Sequence, residues 1–330
     1  MSPMHYPQMK LPEDVKVIDW SIGDAPLDFP QGLAAAIGNF DGVHLGHQYL
    51  IQAAVADGKT PAVITFSPHP KRFFNPDADG FALSDDQDKS AFMAALGVKV
   101  ILRLKFDDAM RQTSAEDFVT KVLPSLGVQS LYAGEDFGFG NNRSGGMDLI
   151  QTLGQDYGIT THAVALKEDS DVVISSTRIR DLIKTGDVTT AASLLGRPYT
   201  ISGDVIKGDQ RGRTIGFPTA NITLPEMTKP AFGVYTVAAC FADQPDAPIM
   251  GGVANIGVRP TAIDRGVLLE VHVFDYDGDL YGQRVNIFLL DHIRAERAFE
   301  NFDQLKNQIA LDAETARQFL QNNKGLINPS

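Results

Sequence analysis

The chain has 330 residues, of which 43% are hydrophobic, and it carries a formal net charge of −12. This length predicts two domains, and the acidic balance argues against a large nucleic-acid surface, because phosphate backbones are held mainly by clustered cations. No apolar span of about 18 residues and no apolar leader is recognisable, so the sequence predicts neither a membrane helix nor a secretory signal. The single cysteine, Cys240, excludes an internal disulfide and suits a reducing cytoplasm.

From the start to about residue 185, short β-rich runs alternate with helix-compatible segments. Such alternation predicts a parallel sheet with helices on both faces, with ligands bound beyond the carboxyl ends of the strands. The predicted strands are Leu33–Ile37, Pro61–Phe66, Val98–Leu104, Gln129–Ala133 and Ile159–Leu166. The predicted helices cover about residues 47–57, 87–96, 114–126 and 147–157.

The first predicted strand runs into Gly38-Asn39-Phe40-Asp41-Gly42-Val43-His44-Leu45-Gly46-His47, and a helical segment follows. Three glycines allow the backbone to approach a ligand, and the start of a helix favours an anion such as a nucleotide triphosphate. His44 and His47 are expected to face the same way on the first helical turn and to offset charge that builds up as a phosphorus–oxygen bond breaks. A helix cap with no further role is the alternative for His-x-Gly-His alone.

This stretch resembles the signature of the nucleotidylyltransferases related to class I aminoacyl-tRNA synthetases. Its opening is most similar to that of the prokaryotic bifunctional riboflavin kinase/FAD synthetase family. The resemblance implies that both histidines are catalytic. It also implies ATP binding by Gly38, Asn39, Phe40, Asp41, Gly42, His44, Gly46 and His47.

The second predicted strand leads into Ser67-Pro68-His69-Pro70-Lys71-Arg72-Phe73-Phe74. Alone, this segment is typical of a solvated basic turn with a hydrophobic anchor. It is similar to the His-Pro loop of the same family, which implies that His69 binds flavin. Ser67 stands where the family usually carries an acidic residue.

A glycine-rich loop, Gly134-Glu135-Asp136-Phe137-Gly138-Phe139-Gly140-Asn141-Asn142-Arg143-Ser144-Gly145-Gly146, follows the fourth predicted strand. We expect its two phenylalanines to be exposed, which is costly unless a ligand covers them. The loop resembles a family segment that contacts flavin and nucleotide, which implies flavin binding by Asp136, Phe137 and Phe139. Gly138 replaces a common arginine, so this cationic contact is either missing or supplied by Arg143.

After the fifth strand, Ser175-Ser176-Thr177-Arg178-Ile179-Arg180 reads as the capped start of a helix. Cations in a first turn oppose the helix dipole, which indicates that a negative group lies nearby. Without the other motifs, the segment is typical of a capping box. It resembles a family motif that binds the triphosphate, and this implies ATP binding by Ser175, Ser176, Thr177 and Arg178.

The pattern changes after a helix-like stretch at Thr185 to Leu195. Turn-separated strands without a long helix between them predict a small antiparallel barrel. The predicted strands are Thr200–Ile206, Gly233–Phe241, Ile249–Ile256, Val267–Tyr276 and Gln283–Leu290. Apolar spacing predicts a final helix at about 294–322 that packs on the barrel.

The barrel contains a segment from Gly208 to Asn221 in which glycines recur every four residues among basic side chains. Thr219 and Asn221 offer hard oxygen ligands that suit Mg²⁺, although Pro-Thr-Ala-Asn alone is also a common turn sequence. Gly-Phe-Pro-Thr-Ala-Asn closely resembles the riboflavin kinase signature, which implies that Thr219 and Asn221 hold the metal. The same resemblance implies ATP binding by Gly208, Gly212, Gly216, Pro218, Thr219 and Asn221.

Glu270 lies in a predicted strand in which Leu269, Val271 and Val273 share one face, and Glu270 and His272 share the other. A carboxylate here can accept the proton of an attacking hydroxyl. A solvated glutamate on the outer face is the alternative from the pattern alone. The resemblance gives Glu270 the role of catalytic base.

The motifs together predict an α/β plus β chain. Residues 1–185 are expected to form a Rossmann-like FMN adenylyltransferase domain, 186–198 a linker, and 199–330 a riboflavin kinase β-barrel with a C-terminal helix. The resemblance implies a cytoplasmic bifunctional enzyme that converts riboflavin and ATP to FMN, then FMN and ATP to FAD and diphosphate. It implies Mg²⁺ with ATP, flavins as substrates and products, and no nucleic-acid or membrane partner. Delivery of flavin to apo-flavoproteins and the oligomeric state are left open.

Three alternatives stay open at this level. Ser67 and Gly138 suggest a riboflavin kinase whose N-terminal module is impaired. Another nucleotidylyltransferase, acting on a substrate such as pantetheine phosphate, would share the first motif but leave the barrel motif unexplained. In a non-catalytic flavin-binding or regulatory protein, His44 and Glu270 would be dispensable.

Overall fold

The computed structural model describes residues 9–76, 80–165, 168–169, 172–207, 217–241, 248–258 and 266–326. They divide into two compact units. The sheet unit holds Leu11–Asp79 and Lys89–Ser175. The barrel unit holds residues 9–10, Gly80–Asp88 and the chain from Ser176 onward. In the described ranges, no helix combines the length and apolarity needed to cross a membrane.

The sheet unit is built on a six-stranded parallel sheet in the order β1-β4-β3-β2-β5-β6. Its strands are β1 Lys16–Trp20, β2 Leu33–Ile37, β3 Thr60–Ser67, β4 Val100–Lys105, β5 Val128–Gly134 and β6 Thr160–Val164. All five residues of β2 are buried, so both faces of the sheet are covered, as the alternating pattern predicts. The five predicted strands are confirmed within two residues where the structure describes them, and β1 is an additional edge strand.

Short helices connect these strands. They are α1 Leu45–Val55, α2 Pro70–Phe74, α3 Asp86–Ala95, α4 Asp108–Gln112, α5 Ala115–Asp117, α6 Leu123–Ser125 and α7 Met147–Gly154. A π-helical turn, Phe118–Val122, joins α5 to α6, and 3₁₀ turns cover Asn141–Arg143 and Gln155–Tyr157. Before the unit ends, β7 Glu168–Asp169 pairs antiparallel with β8 Val172–Val173.

The barrel unit contains a closed six-stranded antiparallel barrel in the order β10-β13-β12-β11-β14-β9. Its strands are β9 Tyr199–Ile206, β10 Ala220–Thr223, β11 Gly233–Phe241, β12 Met250–Val258, β13 Val267–Val273 and β14 Arg284–Ala295. Its helices are α8 Ser176–Thr185, α9 Val188–Leu195 and α10 Phe302–Asn322, followed by a 3₁₀ turn at Lys324–Leu326. The predicted barrel is confirmed, but the start of its last helix was predicted too early, because β14 continues to Ala295.

The segment Gly80–Asp88 interrupts the sheet unit in sequence and belongs to the barrel unit. Arg180 of α8 donates from Nε to the carbonyl of Phe81 at 2.6 Å, and its guanidinium lies 4.5 Å from the centre of the Phe81 ring. The hydroxyl of Thr228 donates to the same carbonyl at 3.1 Å. Arg180 therefore has a structural role. The prediction that cations in the first turn of this helix indicate a bound negative group does not apply to Arg180.

Asp88 lies in a buried polar cluster at the end of this segment. Its side chain is 2% exposed, and its Oδ2 accepts a hydrogen bond from Ser202 Oγ at 2.7 Å. Arg284 of β14 pairs with Asp85 at 3.0 Å and lies 3.8 Å from Asp88. Burial, reinforced by the negative charge of Asp85, raises the pKa of Asp88 to about 6.

Candidate active sites

The predicted histidine turn lies where the strand order of the sheet reverses. β2 lies between β3 and β5. Along the chain, β3 and β4 are added on one side of β2, and β5 and β6 are then added on the other side. At such a reversal, a ligand crevice opens beyond the carboxyl ends of the strands. The turn Gly38–His47 follows β2 and the loop Gly134–Gly146 follows β5, so the topology brings both segments to this crevice.

The backbone of the histidine turn is strained. Phe40 and Val43 have φ values of 51° and 41°, in a region that non-glycine residues rarely adopt, and Gly42 has a φ of 77°. The Val43 N–H donates to the Phe40 carbonyl at 3.1 Å, and both side chains are almost fully buried. Strain of this kind persists only where the surroundings enforce it, and it is concentrated at functional sites.

His44 caps α1 with one nitrogen of its ring. Its Nδ1 accepts a hydrogen bond from the His47 backbone N–H at 3.3 Å. The neutral ring then carries its proton on Nε2. The two imidazole rings stack with centroids 3.5 Å apart, which confirms that they face the same way. Capping and phosphate binding therefore use different nitrogens and do not exclude each other.

The other predicted ATP-binding residues of this turn differ in exposure. Asn39 is exposed and its carbonyl accepts from Thr65 Oγ1 at 3.1 Å, whereas Asp41 is buried. Phe40 is fully buried, and its ring meets His47 edge-on at 5.3 Å. The Phe40 ring therefore supports His47 from the core instead of facing the crevice.

Two glycines of the turn are required for contact reasons. A Cβ on Gly46 would lie 3.2 Å from the His44 ring, and one on Gly38 would lie 3.3 Å from the Phe40 ring. Both distances are tighter than ordinary van der Waals contact, so a side chain at either position would displace a ring. The Gly38 N–H donates to the Ile64 carbonyl at 3.1 Å, which ties the start of the turn to β3.

The loop after β3 carries an aromatic cluster that the sequence did not fully reveal. His69 caps α2 through Nδ1, which accepts from the Lys71 N–H at 3.0 Å. Ring contacts of 5.4 to 5.9 Å join Phe66, Phe73, Phe74 and Phe106. Phe106 directly follows β4, so it lies at the same edge of the sheet as the loop after β3. This position follows from the order of the strands and not from the sequence around Phe106. Phe74 is 65% exposed, so the cluster presents an exposed aromatic ring on which a flat ligand could pack.

The two phenylalanines of the loop after β5 have different environments. The expectation that both are exposed is wrong for Phe139, which is 6% exposed and packs on Phe118 at 5.4 Å in the core. Phe137 is half-buried and stacks on Phe139 at 5.6 Å, and Asp136 is exposed. Phe139 belongs to the core because its ring fills the space beside the π-helical turn. Of the three residues predicted to contact flavin at this loop, Asp136 and Phe137 are accessible to a ligand and Phe139 is buried.

Arg143 occupies the space beside Gly138. A Cβ built on Gly138 would lie 3.0 Å from Nε and 3.1 Å from Nη2 of Arg143. Arg143 and its neighbour Asn142 adopt φ values of 55° and 54°, which folds the 3₁₀ turn back toward Gly138. The guanidinium therefore stands next to the position from which a side chain at residue 138 would project.

The Ser175–Arg178 segment lies across the division between the two units. The Ile174 carbonyl, in the sheet unit, would be 3.8 Å from a Cβ on Gly46, so the chain before Ser175 passes beside the histidine turn. Helix α8 begins at Ser176, which confirms the predicted helix start. Thr177 is exposed and Arg178 is half-buried. The joint action of these residues with the histidines stays a prediction.

In the barrel, the strand register aligns the predicted kinase residues. Asn221 of β10 pairs with Glu270 of β13, and Glu270 pairs with Asn255 of β12. Paired residues of antiparallel strands project to the same face, so two amides flank the carboxylate. Burial alternates along β13, with Val271 buried and Glu270 half-buried. Asn255 is the member of this row that sequence reasoning left out, and only the register reveals it.

A cavity of about 340 Å³ adjoins Thr219, one of the two predicted metal ligands. Pro218 and Thr219 line it together with Val271, Val273 and the stretch from Tyr276 to Tyr281. Its lining combines aliphatic and aromatic side chains with Asp277 and Asp279, and its volume lies in the usual range for small-molecule sites. Val271 and Val273 lie on the face of β13 opposite to Glu270, and Thr219 lines the cavity together with them.

The donors of Thr219 and Asn221 fit a hard cation. Asn221 directs its amide nitrogen toward the Thr219 carbonyl at 3.5 Å, which leaves the amide oxygen as a ligand atom. Within the described ranges, no cluster of three His, Cys, Asp or Glu residues suits a metal ion. An oxygen pair without carboxylates is consistent with a cation that arrives with ATP. The predicted ATP-binding residues Gly208, Gly212 and Gly216 lie outside the described residues.

Comparisons with known proteins match both units. A family described as FAD synthetase matches residues 28–178, and a family described as riboflavin kinase matches residues 195–320. The bifunctional riboflavin kinase/FMN adenylyltransferase of Escherichia coli (strain K12) is 39% identical over 305 residues, which cover 91% of this chain and 95% of the relative. The protein of the same name from Pseudomonas fluorescens is 39% identical over 293 residues, covering 87% and 93%.

One solved structure shares the fold over most of both chains. A crystal structure named as a macrolide-efflux protein from Streptococcus pneumoniae matches with a TM-score of 0.78 and 31% sequence identity. The match covers 91% of this chain and 99% of that chain. The sheet and the barrel therefore occur together in that protein as well.

Proposed function

The chain belongs to the family of bifunctional riboflavin kinases/FMN adenylyltransferases, and on this premise we propose that it carries out two successive reactions. In the first, ATP and riboflavin give FMN and ADP. In the second, ATP and FMN give FAD and diphosphate. The observation that carries the proposal is that each matched segment folds as a separate architecture with its own polar site. A kinase with a disabled N-terminal module is not favoured, because the relatives match over both segments.

Phosphoryl transfer is assigned to residues 199–330. Glu270 accepts the proton of the ribityl 5′-hydroxyl as this oxygen attacks the γ-phosphorus of ATP, and ADP leaves. The Thr219 hydroxyl and the Asn221 amide oxygen would hold Mg²⁺, which would supply charge neutralisation at the phosphates when bound with ATP. Asn255, on the other side of Glu270, helps to fix the carboxylate. The cavity beside Thr219 receives the nucleotide base.

Adenylyl transfer is assigned to residues 1–185. A phosphate oxygen of FMN attacks the α-phosphorus of ATP, and the bond to the β-phosphate breaks to release diphosphate. His44, through Nε2–H, and His47 donate to the oxygens on which charge accumulates. Ser175, Ser176, Thr177 and Arg178 bind the triphosphate, while His69, Asp136 and Phe137 contact the flavin.

The cytoplasm is the proposed location, since both reactions consume ATP and the single cysteine needs no oxidising compartment. Small molecules are the proposed partners, namely ATP, riboflavin and FMN. Transfer of the products to apo-flavoproteins is a further hypothesis, tested by mixing the FAD-loaded enzyme with an apo-flavoprotein and following the flavin.

Product chromatography tests the two activities in one protein. The purified chain is incubated with ATP, Mg²⁺ and either riboflavin or FMN, and we expect FAD from both. Glu270→Gln should form FAD from FMN only, and His47→Asn should stop at FMN when it is given riboflavin. A wild-type protein that forms no product from either flavin would contradict the proposal, and FMN without FAD would restrict it to the kinase.

A further inference from the structure

His272 lies beside the kinase site on the same face of β13 as Glu270, two residues further along the strand. Its Nδ1 lies 2.8 Å from the carbonyl oxygen of Pro218. A carbonyl oxygen only accepts, so His272 donates through Nδ1–H. This bond joins β13 to the residue immediately before Thr219.

The bond acts where the strand pairing stops. The ladder between β10 and β13 ends at Ala220, which pairs with Val271, so Thr219 lies outside it. Pro218 has no N–H and contributes only its carbonyl to backbone hydrogen bonding. The His272 side chain therefore attaches the segment before β10 to β13, beyond the last backbone pair of the two strands.

The His272 ring itself contacts two aromatic side chains. Phe217 meets it edge-on at 5.3 Å, and Phe274 meets it edge-on at 5.7 Å. Phe274 is fixed in turn by Arg317 of α10, whose guanidinium lies 4.1 Å from the ring centre and pairs with Asp275 at 3.0 Å. A ring restrained in this way holds its donor in one place.

We propose that His272 is a positioning residue for phosphoryl transfer, which fixes Thr219 and Asn221 relative to Glu270 by donating a hydrogen bond to the Pro218 carbonyl. The proposal rests on the kinase function proposed above. An error of about 1 Å in such a site costs up to a hundredfold in rate, so one bond at this position has a measurable effect. His272 touches no reacting atom and acts through the backbone at Pro218.

Three substitutions separate the donor from the ring. His272→Asn keeps an N–H donor at the place of Nδ1, His272→Phe keeps the ring without the donor, and His272→Ala removes both. The rate of FMN formation is measured against the Mg²⁺ and riboflavin concentrations. FAD formation from FMN and the unfolding temperature are followed in the same samples. His162→Ala is the matched control, since His162 stacks on Tyr132 in the sheet unit at 4.4 Å.

We expect His272→Phe to raise the Mg²⁺ concentration for half-maximal FMN formation by about five- to tenfold and to lower kcat. His272→Asn should stay within about twofold of wild type, and every variant should form FAD from FMN normally. Wild-type Mg²⁺ dependence in His272→Phe, or equal losses in His272→Asn and His272→Phe, would overturn the inference. If His272→Ala unfolds, the other two variants still decide. Absence of FMN formation in the wild type contradicts the proposed function instead.

Discussion

At the scale of single residues, the first site depends on close packing between a glycine and an imidazole. Gly46 lies in the first turn of α1, where an alanine would usually favour the helix by up to about 1 kcal/mol. The His44 ring lies 3.2 Å from the place of the missing Cβ. The residue type at position 46 is therefore set by the histidine pair.

Gly46→Ala is predicted to separate stability from activity. The added methyl group displaces the His44 ring, so FMN adenylylation should fall about tenfold or more. The free energy of unfolding should change by no more than about 1 kcal/mol, because the gain in helix propensity offsets the weakened His44 cap. Initial rates of FAD formation and chemical denaturation check both parts. Gly325→Ala is the control, because nothing lies within 4 Å of its Cβ position. Normal FAD formation by Gly46→Ala would show that the contact is not needed.

Arg143 is predicted to supply the cationic contact that Gly138 lacks. Arg143→Ala should raise the KM of adenylylation by about five- to tenfold, since a hydrogen bond to a charged phosphate is lost. Gly138→Arg in the same protein should restore the KM, because the new arginine side chain enters the vacated space. Arg111→Ala, which removes an exposed ion pair with Asp108, is the control. Failure of the double variant to recover would argue against a shared position.

At the scale of elements, the sequence predicted structure best where burial is uniform. β2 is apolar throughout and buried throughout, and its predicted and observed bounds coincide. β1 was missed because it lies at the edge of the sheet and mixes polar and apolar residues without a regular period over only five positions. β10 was missed because its four residues are too few to show a period. Neither strand has a local signal, and both are defined by their neighbours.

The candidate sites were predicted to a similar extent. The motifs located the histidine turn and Glu270, because each motif is continuous in sequence. The burial of Phe139 and the structural role of Arg180 followed from contacts with residues distant in the chain, which no local pattern reports. Phe106 and Asn255 were missed for the same reason, since strand order and register bring them to the sites.

Helix α3 provides a prediction about pH. The pKa of Asp88 is about 6 in the folded protein, against about 3.9 in an unfolded chain, so the folded state binds the extra proton between these values. The contribution of Asp88 to the free energy of unfolding therefore falls by up to about 1.4 kcal/mol per pH unit as the pH rises from about 4 to 6. Above about pH 6 this contribution is constant. Asp88→Asn removes this contribution.

Denaturation of the two proteins between pH 4 and 8 measures the difference. The stability of Asp88→Asn relative to wild type should increase by about 2 to 3 kcal/mol from pH 4 to pH 6 and then level off. Asp86→Asn, which alters an exposed carboxyl of the same helix, is the control. A constant difference across this range would mean that Asp88 is ionised throughout.

At the scale of the whole molecule, the two compact units are not two consecutive stretches of sequence. Gly80–Asp88 belongs with the barrel, although it is flanked on both sides by the sheet unit. It contributes the buried Leu83 and Asp88 to the barrel unit, together with the Phe81 carbonyl that Arg180 and Thr228 share. A single cut in the chain therefore does not separate the units.

A fragment of residues 176–330 is predicted to be less stable than the barrel in the intact chain. It lacks Gly80–Asp88, so Arg180, Ser202 and Arg284 lose partners. A synthetic peptide of residues 80–88 should raise its unfolding temperature with increasing concentration, as expected for a ligand of the folded state. Thermal unfolding followed by circular dichroism measures both effects, and a peptide of scrambled sequence is the control. The prediction would be contradicted by a fragment whose unfolding temperature equals that of the barrel in the intact chain and does not change when the peptide is added.

The place of Gly80–Asp88 in the sequence has a consequence for biosynthesis. Phe81 leaves the ribosome 99 residues before its partner Arg180, and Asp85 leaves it 199 residues before Arg284. At typical rates of translation, the second interval lasts about 10 to 40 s. The nascent sheet unit thus carries an unsatisfied segment, with the apolar Leu83 unburied, until the last barrel strand is made.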